Sequence, residues 1–227
     1  METRSWQVVI GDLRASRRIP ARRRPRVDRA LMQAIARTLR RYEGHFRLAP
    51  EVLKGDELQA VLRPDAPVLS ILIYLRAQLA LGVERAPQLR AGIGRGAIER
   101  LSPKGPFASD GEAFHRARAA LERLRHATSV RLTTWVSGDP AFDATAEAVL
   151  GLVDAMAGRW TSPQCEAIIG RLEGKGLDEI ARAKGVRFQS VSKRLRAASW
   201  NEVQQAVEHL EGLDRSVPAA ASSPRKG

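Results

Sequence analysis

The sequence predicts an α/β domain of ferredoxin-like arrangement, followed by an all-α domain that contains a helix-turn-helix. Two observations lead to this fold class. Strand and helix patterns alternate in the order β-α-β-β-α-β-α-β up to about residue 136, and the first six elements follow the ferredoxin-like order. Beyond residue 160, every periodic segment repeats its apolar residues at the spacing of a helix.

The first part of the chain alternates short apolar runs with helical stripes. Strands are expected at residues 7–10, 46–52, 58–62, 89–98 and 130–136. Helices are expected at residues 27–42, 66–82 and 110–126. The segment Lys-Gly-Asp-Glu at residues 54–57 suits a tight hairpin turn between the second and third strands, because glycine and aspartate adopt turn conformations at low cost. The first six elements therefore predict an antiparallel sheet with helices on one face.

The second part of the chain is predicted to be helical throughout. Thr161 and Gln164 have the spacing of a capping box, helices follow at residues 177–184 and 188–198, and Asn201 is placed to cap a last helix. The domain boundaries follow from these elements. We predict an α/β domain at residues 1–138, a connecting helix at 139–160, a helix-turn-helix domain at 161–213 and a disordered tail at 214–227.

Composition narrows the class of protein. The 227 residues carry a net charge of +13, which favours an anionic partner such as nucleic acid, although an arginine excess can also arise from a GC-rich genome. A single cysteine excludes a disulfide framework and a cysteine-rich zinc site. No signal-type segment follows the first methionine, and Arg76 interrupts the most apolar run. We therefore expect a cytoplasmic protein that does not enter a membrane.

Residues 177–196 carry the main functional pattern. Gly185 permits a left-handed turn between two helices, and Phe188, Val191 and Leu195 are expected to share the buried side of the second helix. The opposite side is polar or basic, and none of its residues is acidic. Such side chains read base edges and contact phosphates. The predicted DNA-binding residues are Arg187, Gln189, Ser190, Ser192, Lys193, Arg194 and Arg196. The alternative is a protein-interaction module whose polar face is solvated.

Two carboxylates suggest a metal site in the first part. Asp12 ends the first strand and Asp56 lies in the hairpin turn, so adjacent strands would bring them together to hold Mg²⁺. An arginine-rich segment follows Asp12 and offers Arg14, Arg17 and Arg18 to a nucleotide phosphate. Other interpretations stay open: the aspartates suit a loop and a turn, the arginines suit a DNA backbone, and the glycines of 92–96 suit close packing.

Together these motifs resemble the SatD family of bacterial proteins, whose members are usually described as candidate regulators. The resemblance spans about residues 8–213. It is carried by Ile-Gly-Asp-Leu…Ser-Arg (10–17), Gly-Asp-Glu-Leu-Gln (55–59), Gly-Ile-Gly-Arg-Gly (92–96), Asp-Gly-Glu-Ala-Phe (110–114) and the terminal helix-turn-helix. Residues 160–213 also resemble the fourth region of sigma factors and the LuxR-type domain, which implies binding to double-stranded DNA.

The first 136 residues also resemble the palm of class III nucleotide cyclases and GGDEF proteins, which implies a nucleotide-cyclase-type fold. The resemblance places the metals on Asp12 and Asp56, and it adds Arg118 to the candidate nucleotide-binding residues. Val52 stands where cyclases have a purine-reading lysine, and His115 and Ala119 stand where they have asparagine and arginine. Loss of that arginine removes a stabiliser of transition-state charge, so efficient cyclisation is not expected.

The combined prediction is a DNA-binding transcriptional regulator. Its first domain would sense a nucleotide or form a homodimer, since helix-turn-helix units commonly read paired half-sites. One alternative is a metal-dependent nucleotide-binding enzyme, a nucleotidyl cyclase or phosphoryl-transfer protein with an accessory helical domain. The other is a module that contacts only protein. The departures from the cyclase pattern make the enzyme the less favoured interpretation.

Overall fold

A computed structural model describes residues 5–53, 56–126 and 130–216. The strands are β1 (Trp6–Leu13), β2 (Phe46–Leu53), β3 (Glu57–Leu62), β4 (Leu89–Gly96) and β5 (Thr133–Val136). The helices are α1 (Arg24–Tyr42), α2 (Val68–Gly82), α3 (Glu112–His126), α4 (Pro140–Ala157), α5 (Ser162–Leu172), α6 (Leu177–Lys184), α7 (Phe188–Ala197) and α8 (Trp200–Ser216). Lys54 and Gly55 of the predicted hairpin turn, and residues 217–227 of the predicted tail, lie outside the described residues.

The sheet has the strand order β2-β3-β1-β4-β5. β1 runs antiparallel to both β3 and β4, and β2 runs antiparallel to β3. This is the predicted ferredoxin-like arrangement, and β5 extends it by pairing parallel to β4. The parallel pair requires a crossover, which α3 provides.

Helices cover both faces of the sheet. Successive side chains of β1 point to opposite sides, so the strand contributes apolar residues to the contacts on each face. Leu13 packs in a cluster with α1 and α2, which confirms that these two helices share a face. Val8 and Ile10 point the other way and pack against α3. The central strands are therefore buried on both sides, which explains their nearly continuous apolar sequence.

The glycine-rich strand β4 lets α3 approach the sheet closely. A Cβ atom at Gly94 would lie 2.1 Å from the carbonyl oxygen of Ala113 and 2.3 Å from the amide nitrogen of Ala117. A Cβ atom at Gly92 would meet the carbonyl oxygen of Ala117 at 2.3 Å. Because both glycines face backbone atoms of α3, the structure gives them a packing role at this interface.

The hydrophobic core continues across the predicted domain boundary. One cluster joins Ile93 of the sheet and Leu72 of α2 to Ile168 of α5 and Leu210 of α8. Helix α2 is the buried helix that its sequence predicts. The guanidinium of Arg76 is stabilised within this core by its hydrogen bonds. It donates to the backbone carbonyl oxygens of Leu89 and Leu132 and to the buried carboxylate of Asp154. Among the described residues, no helix is both long and apolar enough to span a membrane.

The end of α8 contacts the sheet domain through two buried carboxylates. Glu211 accepts hydrogen bonds from the amides of Leu69 and Ser70 at 2.9 and 3.0 Å, and so caps the first turn of α2. Asp214 accepts from Gln7 Nε2 at 3.1 Å, and Arg95 donates to the Asp214 carbonyl oxygen at 2.6 Å.

These contacts correct the predicted start of the tail. Residues 214–216 belong to α8, because Asp214 is fixed by partners from β1 and β4 that lie far away in the sequence. The start of the same helix also differs from the prediction. Asn201 lies inside α8, which begins at Trp200, so it does not cap the helix.

Burial of Glu211 makes the stability of the protein pH-dependent. It raises the pKa of the Glu211 carboxyl from 4.5 to about 7, against the lowering effect of the Ser70 and Leu69 amides. The folded state therefore holds this proton more tightly than the unfolded state, and its stability falls as pH rises from about 4.5 through 7. Glu211→Gln should remove that loss while keeping an acceptor for both amides.

We expect Glu211→Gln to exceed the wild type in free energy of unfolding by about 2 to 3 kcal/mol at pH 8, and to differ by less than about 1 kcal/mol at pH 5. Urea unfolding at pH 5, 6, 7 and 8 measures the difference. Glu208→Gln, at an exposed position of the same helix, is the control. Its free energy of unfolding should differ from that of the wild type by the same amount at every pH. If the difference in free energy of unfolding between Glu211→Gln and the wild type does not change with pH, the prediction is wrong.

Candidate nucleic-acid interface

The α6–α7 pair is joined by a tight turn at Gly185, whose φ of +62° lies in the left-handed region that glycine adopts without strain. Val191 and Leu195 of α7 are buried, as are Ile180 and Ala181 of α6. Each helix therefore buries one apolar stripe, and the opposite side of α7 faces solvent.

The exposed side of α7 carries the predicted DNA-binding residues. Four of them are exposed: Arg187, Gln189, Lys193 and Arg196. Three are partly buried: Ser190, Ser192 and Arg194. The Arg194 guanidinium lies 3.8 Å from the Glu166 carboxylate of α5. Within the described ranges, no carboxylate lies within 4 Å of the charged groups of Arg187, Lys193 or Arg196, so this surface keeps its positive charge.

Phe188 departs from the prediction. It was expected on the buried side of α7, yet it is 42% exposed and stands outside the core cluster that contains Val191 and Leu195. Its helical spacing matches that of the buried Val191 and Leu195, but it occupies the first position of α7, at the end of the apolar stripe. Periodicity defines the direction of a side chain and not what lies under it.

Two tryptophans support the end of α7. Trp160 Nε1 donates to the carbonyl oxygen of Ala198 at 2.9 Å, and the Trp160 ring meets the Trp200 ring edge-on with centroids 6.0 Å apart. Trp200 is buried. These residues were not among the predicted site residues. Two large aromatics flanking a polar helical region were the available signal, since such residues usually anchor an adjacent element.

Asp12, the first predicted metal ligand, is held by two arginines. Its Oδ1 accepts from Arg90 Nε at 2.8 Å, and its Oδ2 accepts from Arg90 Nη2 at 3.1 Å and from Arg125 Nε at 3.0 Å. The carboxylate is buried, with 6% of the residue exposed. This arrangement satisfies both oxygens with charge-assisted hydrogen bonds.

Among the described residues, no hydrogen bond or ion pair joins Asp12 to the other predicted metal and nucleotide residues. Asp56 lies in the turn before β3, and Arg118 of α3 pairs with Glu57 at 3.7 Å. Arg14 donates to Gln88 at 3.4 Å, while Arg17 and Arg18 are exposed. In the described part of the chain, no group of three or more His, Cys, Asp or Glu residues could hold a metal ion. Arginine hydrogen bonds take three of the roughly four acceptor positions of the Asp12 carboxylate, which leaves it little capacity to coordinate Mg²⁺.

Asp12→Asn is expected to destabilise the protein by about 3 kcal/mol, because Arg90 and Arg125 then lose the charge that compensates them. Urea unfolding with and without 10 mM Mg²⁺ measures the effect. We expect magnesium to leave the difference between variant and wild type unchanged. Asp28→Asn, which removes a more exposed partner of Arg24, is the control and should cost less than about 1 kcal/mol. Stabilisation of the wild type alone by magnesium would instead favour a metal site.

Comparison with known protein families gives a match over most of the chain. A family model described as the SatD family matches residues 6–204. No curated protein has a matching sequence.

Among solved structures, the chain is similar to a bacterial light-regulated adenylyl cyclase, with 11% identity and a TM-score of 0.43. The match covers 58% of this chain and 42% of that one, so the chain spans less than half of that cyclase. It is also similar to the catalytic core of a rhodopsin-guanylyl cyclase in complex with ATPαS, with 14% identity, a TM-score of 0.42 and coverage of 54% and 73%. A regulator of polyketide synthase expression from Bifidobacterium adolescentis matches with 14% identity, a TM-score of 0.26 and coverage of 94% and 86%.

Proposed function

The chain belongs to the SatD family, and from this premise we propose that it is a transcriptional regulator that binds double-stranded DNA through the α6–α7 pair. The observation that carries the proposal is the exposed side of α7, which is polar or basic and has no acidic residue. Helix α7 has ten residues and is therefore about 15 Å long. Such a helix fits the major groove of B-DNA, which is about 12 Å wide.

The side chains on α7 match the chemistry of base edges. Gln189, Lys193 and Arg196 are exposed and follow one another at four and three residues, so they lie on the same side of the helix. Lysine and arginine donate to O6 and N7 of guanine, and glutamine pairs with N6 and N7 of adenine. We infer that these three residues, with Ser192 between them, select the sequence.

Phosphate contacts are assigned to the flanks of this face. Arg187 precedes the first turn of α7, where unpaired backbone amides also favour an anion. Ser190 and Arg194 lie on the neighbouring side of the helix. The pair between Arg194 and Glu166 is partly exposed and 3.8 Å long, so exchanging it for a phosphate costs little.

The sheet domain is proposed to join two copies of the chain. A single helix-turn-helix reads only one half-site, and a homodimer reads two half-sites that are related by symmetry. The metal-dependent enzyme has no supporting arrangement in the described residues, since Asp12 is occupied by Arg90 and Arg125. A protein-interaction module is the outcome that remains if DNA binding fails.

Selection from a random duplex library at about 50 mM salt tests the proposal. We expect the full-length protein to enrich one sequence motif with two half-sites about one helical turn apart, or a multiple of that distance. The electrostatic contribution to binding is largest at low salt. A protein that retards no duplex under these conditions is not a DNA-binding regulator, and the proposal would be abandoned.

A further inference from the structure

Arginine side chains line an open cleft of about 530 Å³ between the start of α1 and the loop after α2. Arg23, Arg26 and Arg29 form one side, and Glu84 and Arg85 form the other. We call this feature the arginine cleft. Arg23 Nη2 donates to the carbonyl oxygens of Glu84 and Arg85 at 2.7 and 3.3 Å, which holds the two sides together without neutralising a charge.

The positive charge of the arginine cleft is poorly compensated. Glu84 is the single acidic residue among the described residues that line the cleft, and its ion pair with Arg85 is 3.9 Å long between two side chains that are 92% and 86% exposed. Such an exposed ion pair contributes little stabilising free energy. In the portion that the structure describes, no carboxylate lies within 4 Å of Arg26 or Arg29. The cleft therefore attracts polyanions.

The cleft connects with the surface around α7. Arg85 also lines a neighbouring cavity, whose wall includes Thr161 and Ser162 at the start of α5. About one turn further along α5, Glu166 contacts Arg194 of α7. The path from the cleft to the phosphate-contacting side of α7 thus runs along this cavity and the first turn of α5. The continuous core beneath keeps α2 and α5 packed together.

We propose that the arginine cleft is a second contact for the DNA backbone, outside the α6–α7 pair. This inference rests on the proposed function. A duplex that lies against α7 continues past its binding motif, and the cleft takes phosphates of that flanking segment. Arginine suits this role because its planar, permanently charged group pairs with phosphate oxygens in a bidentate manner. The contact adds affinity and orientation without selecting bases.

The test measures how DNA affinity depends on salt. The cleft variant is Arg26→Gln, Arg29→Gln and Arg85→Gln. The control variant is Arg47→Gln, Arg63→Gln and Arg123→Gln, which removes the same charge from exposed positions elsewhere on the sheet domain. Fluorescence anisotropy follows binding to the selected duplex, extended by flanking sequence, and to a scrambled duplex of the same length between 50 and 200 mM salt. Thermal unfolding checks that each variant is folded.

We expect the cleft variant to reduce the slope of log K against log salt by up to about 2.7, at about 0.9 for each lost phosphate contact. Between 50 and 200 mM salt, the affinity of the cleft variant should therefore fall about 40-fold less than the affinity of the wild type. Both duplexes should lose affinity equally, so the selectivity ratio stays at the wild-type value. The control variant should change the slope by much less.

Other outcomes separate this inference from the proposed function. If the wild type binds selectively and the cleft variant keeps its slope, the cleft is not a DNA contact and the proposed function stands. Equal losses in both variants would show an effect of net charge alone and overturn the inference. If the cleft variant loses tight binding of inorganic tripolyphosphate but keeps the wild-type affinity for DNA, the cleft is a site for small polyphosphates and the inference is overturned. Failure of the wild type to bind any duplex would overturn both.

Discussion

Replacing Lys193 and Arg196 together by alanine is expected to abolish sequence-selective binding while leaving the fold intact. Each side chain is exposed on α7 and has no carboxylate within 4 Å in the described residues. A good bidentate contact with a base contributes about 1 to 3 kcal/mol of discrimination. Losing two such contacts should weaken binding to the selected duplex by roughly 30-fold to 10⁴-fold, which brings it close to the affinity for a scrambled duplex.

Competition between the two duplexes at constant salt measures this loss. The control is Arg63→Ala with Arg159→Ala, which removes the same charge from exposed positions outside α7. It should weaken both duplexes slightly and equally. Gln189→Ala should relax the preference at one position of the motif instead of removing selectivity throughout. If the double variant on α7 keeps the wild-type ratio of affinities, α7 is not the helix that reads the sequence.

Gly94→Ala is expected to destabilise the protein by about 3 kcal/mol. The added Cβ atom would lie 2.1 Å from one backbone atom of α3 and 2.3 Å from another. Backbone atoms within a helix cannot move aside singly, so the whole of α3 must shift away from β4. That shift loosens the apolar contacts of Ala113, Phe114 and Ala117 with the sheet.

Urea unfolding of the wild type and the variant measures this cost, and the slope of the transition shows whether unfolding stays cooperative. The control is Gly212→Ala inside α8, where the added atom meets nothing within 4 Å. It should stabilise the protein by about 0.5 to 1 kcal/mol, because alanine favours a helix more than glycine does. If the two variants have the same stability, the close approach of α3 to β4 does not limit the fold.

The elements that could be predicted from the sequence are those defined by local chemistry. The start of α5 is an example, because the Thr161 amide donates to Gln164 Oε1 at 2.8 Å, three residues away. The strand order could also be predicted, since the alternation of strands and helices admits few arrangements. The position of α3 could not, because its periodicity identifies an apolar face without showing which side of the sheet receives it.

The partners of single charged residues were beyond local reasoning. Asp12 looks like a free strand-end carboxylate, yet its partners Arg90 and Arg125 lie 78 and 113 residues away in the chain. Asp214 looks like the start of a tail, yet Gln7 lies 207 residues before it. Such pairs depend on tertiary contact, and one sequence with many arginines offers many possible partners for each carboxylate.

The contacts of α8 also determine when this protein can finish folding during its synthesis. Gln7 and Arg95 are made early, whereas the carboxylate and carbonyl oxygen that they bind belong to Asp214, near the end of α8. Until the ribosome has released that last turn, an arginine beside the central strand lacks these acceptors and the first turn of α2 lacks its cap. These contacts of α8 with the sheet and with α2 therefore form last, when α5, α6 and α7 have already been synthesised.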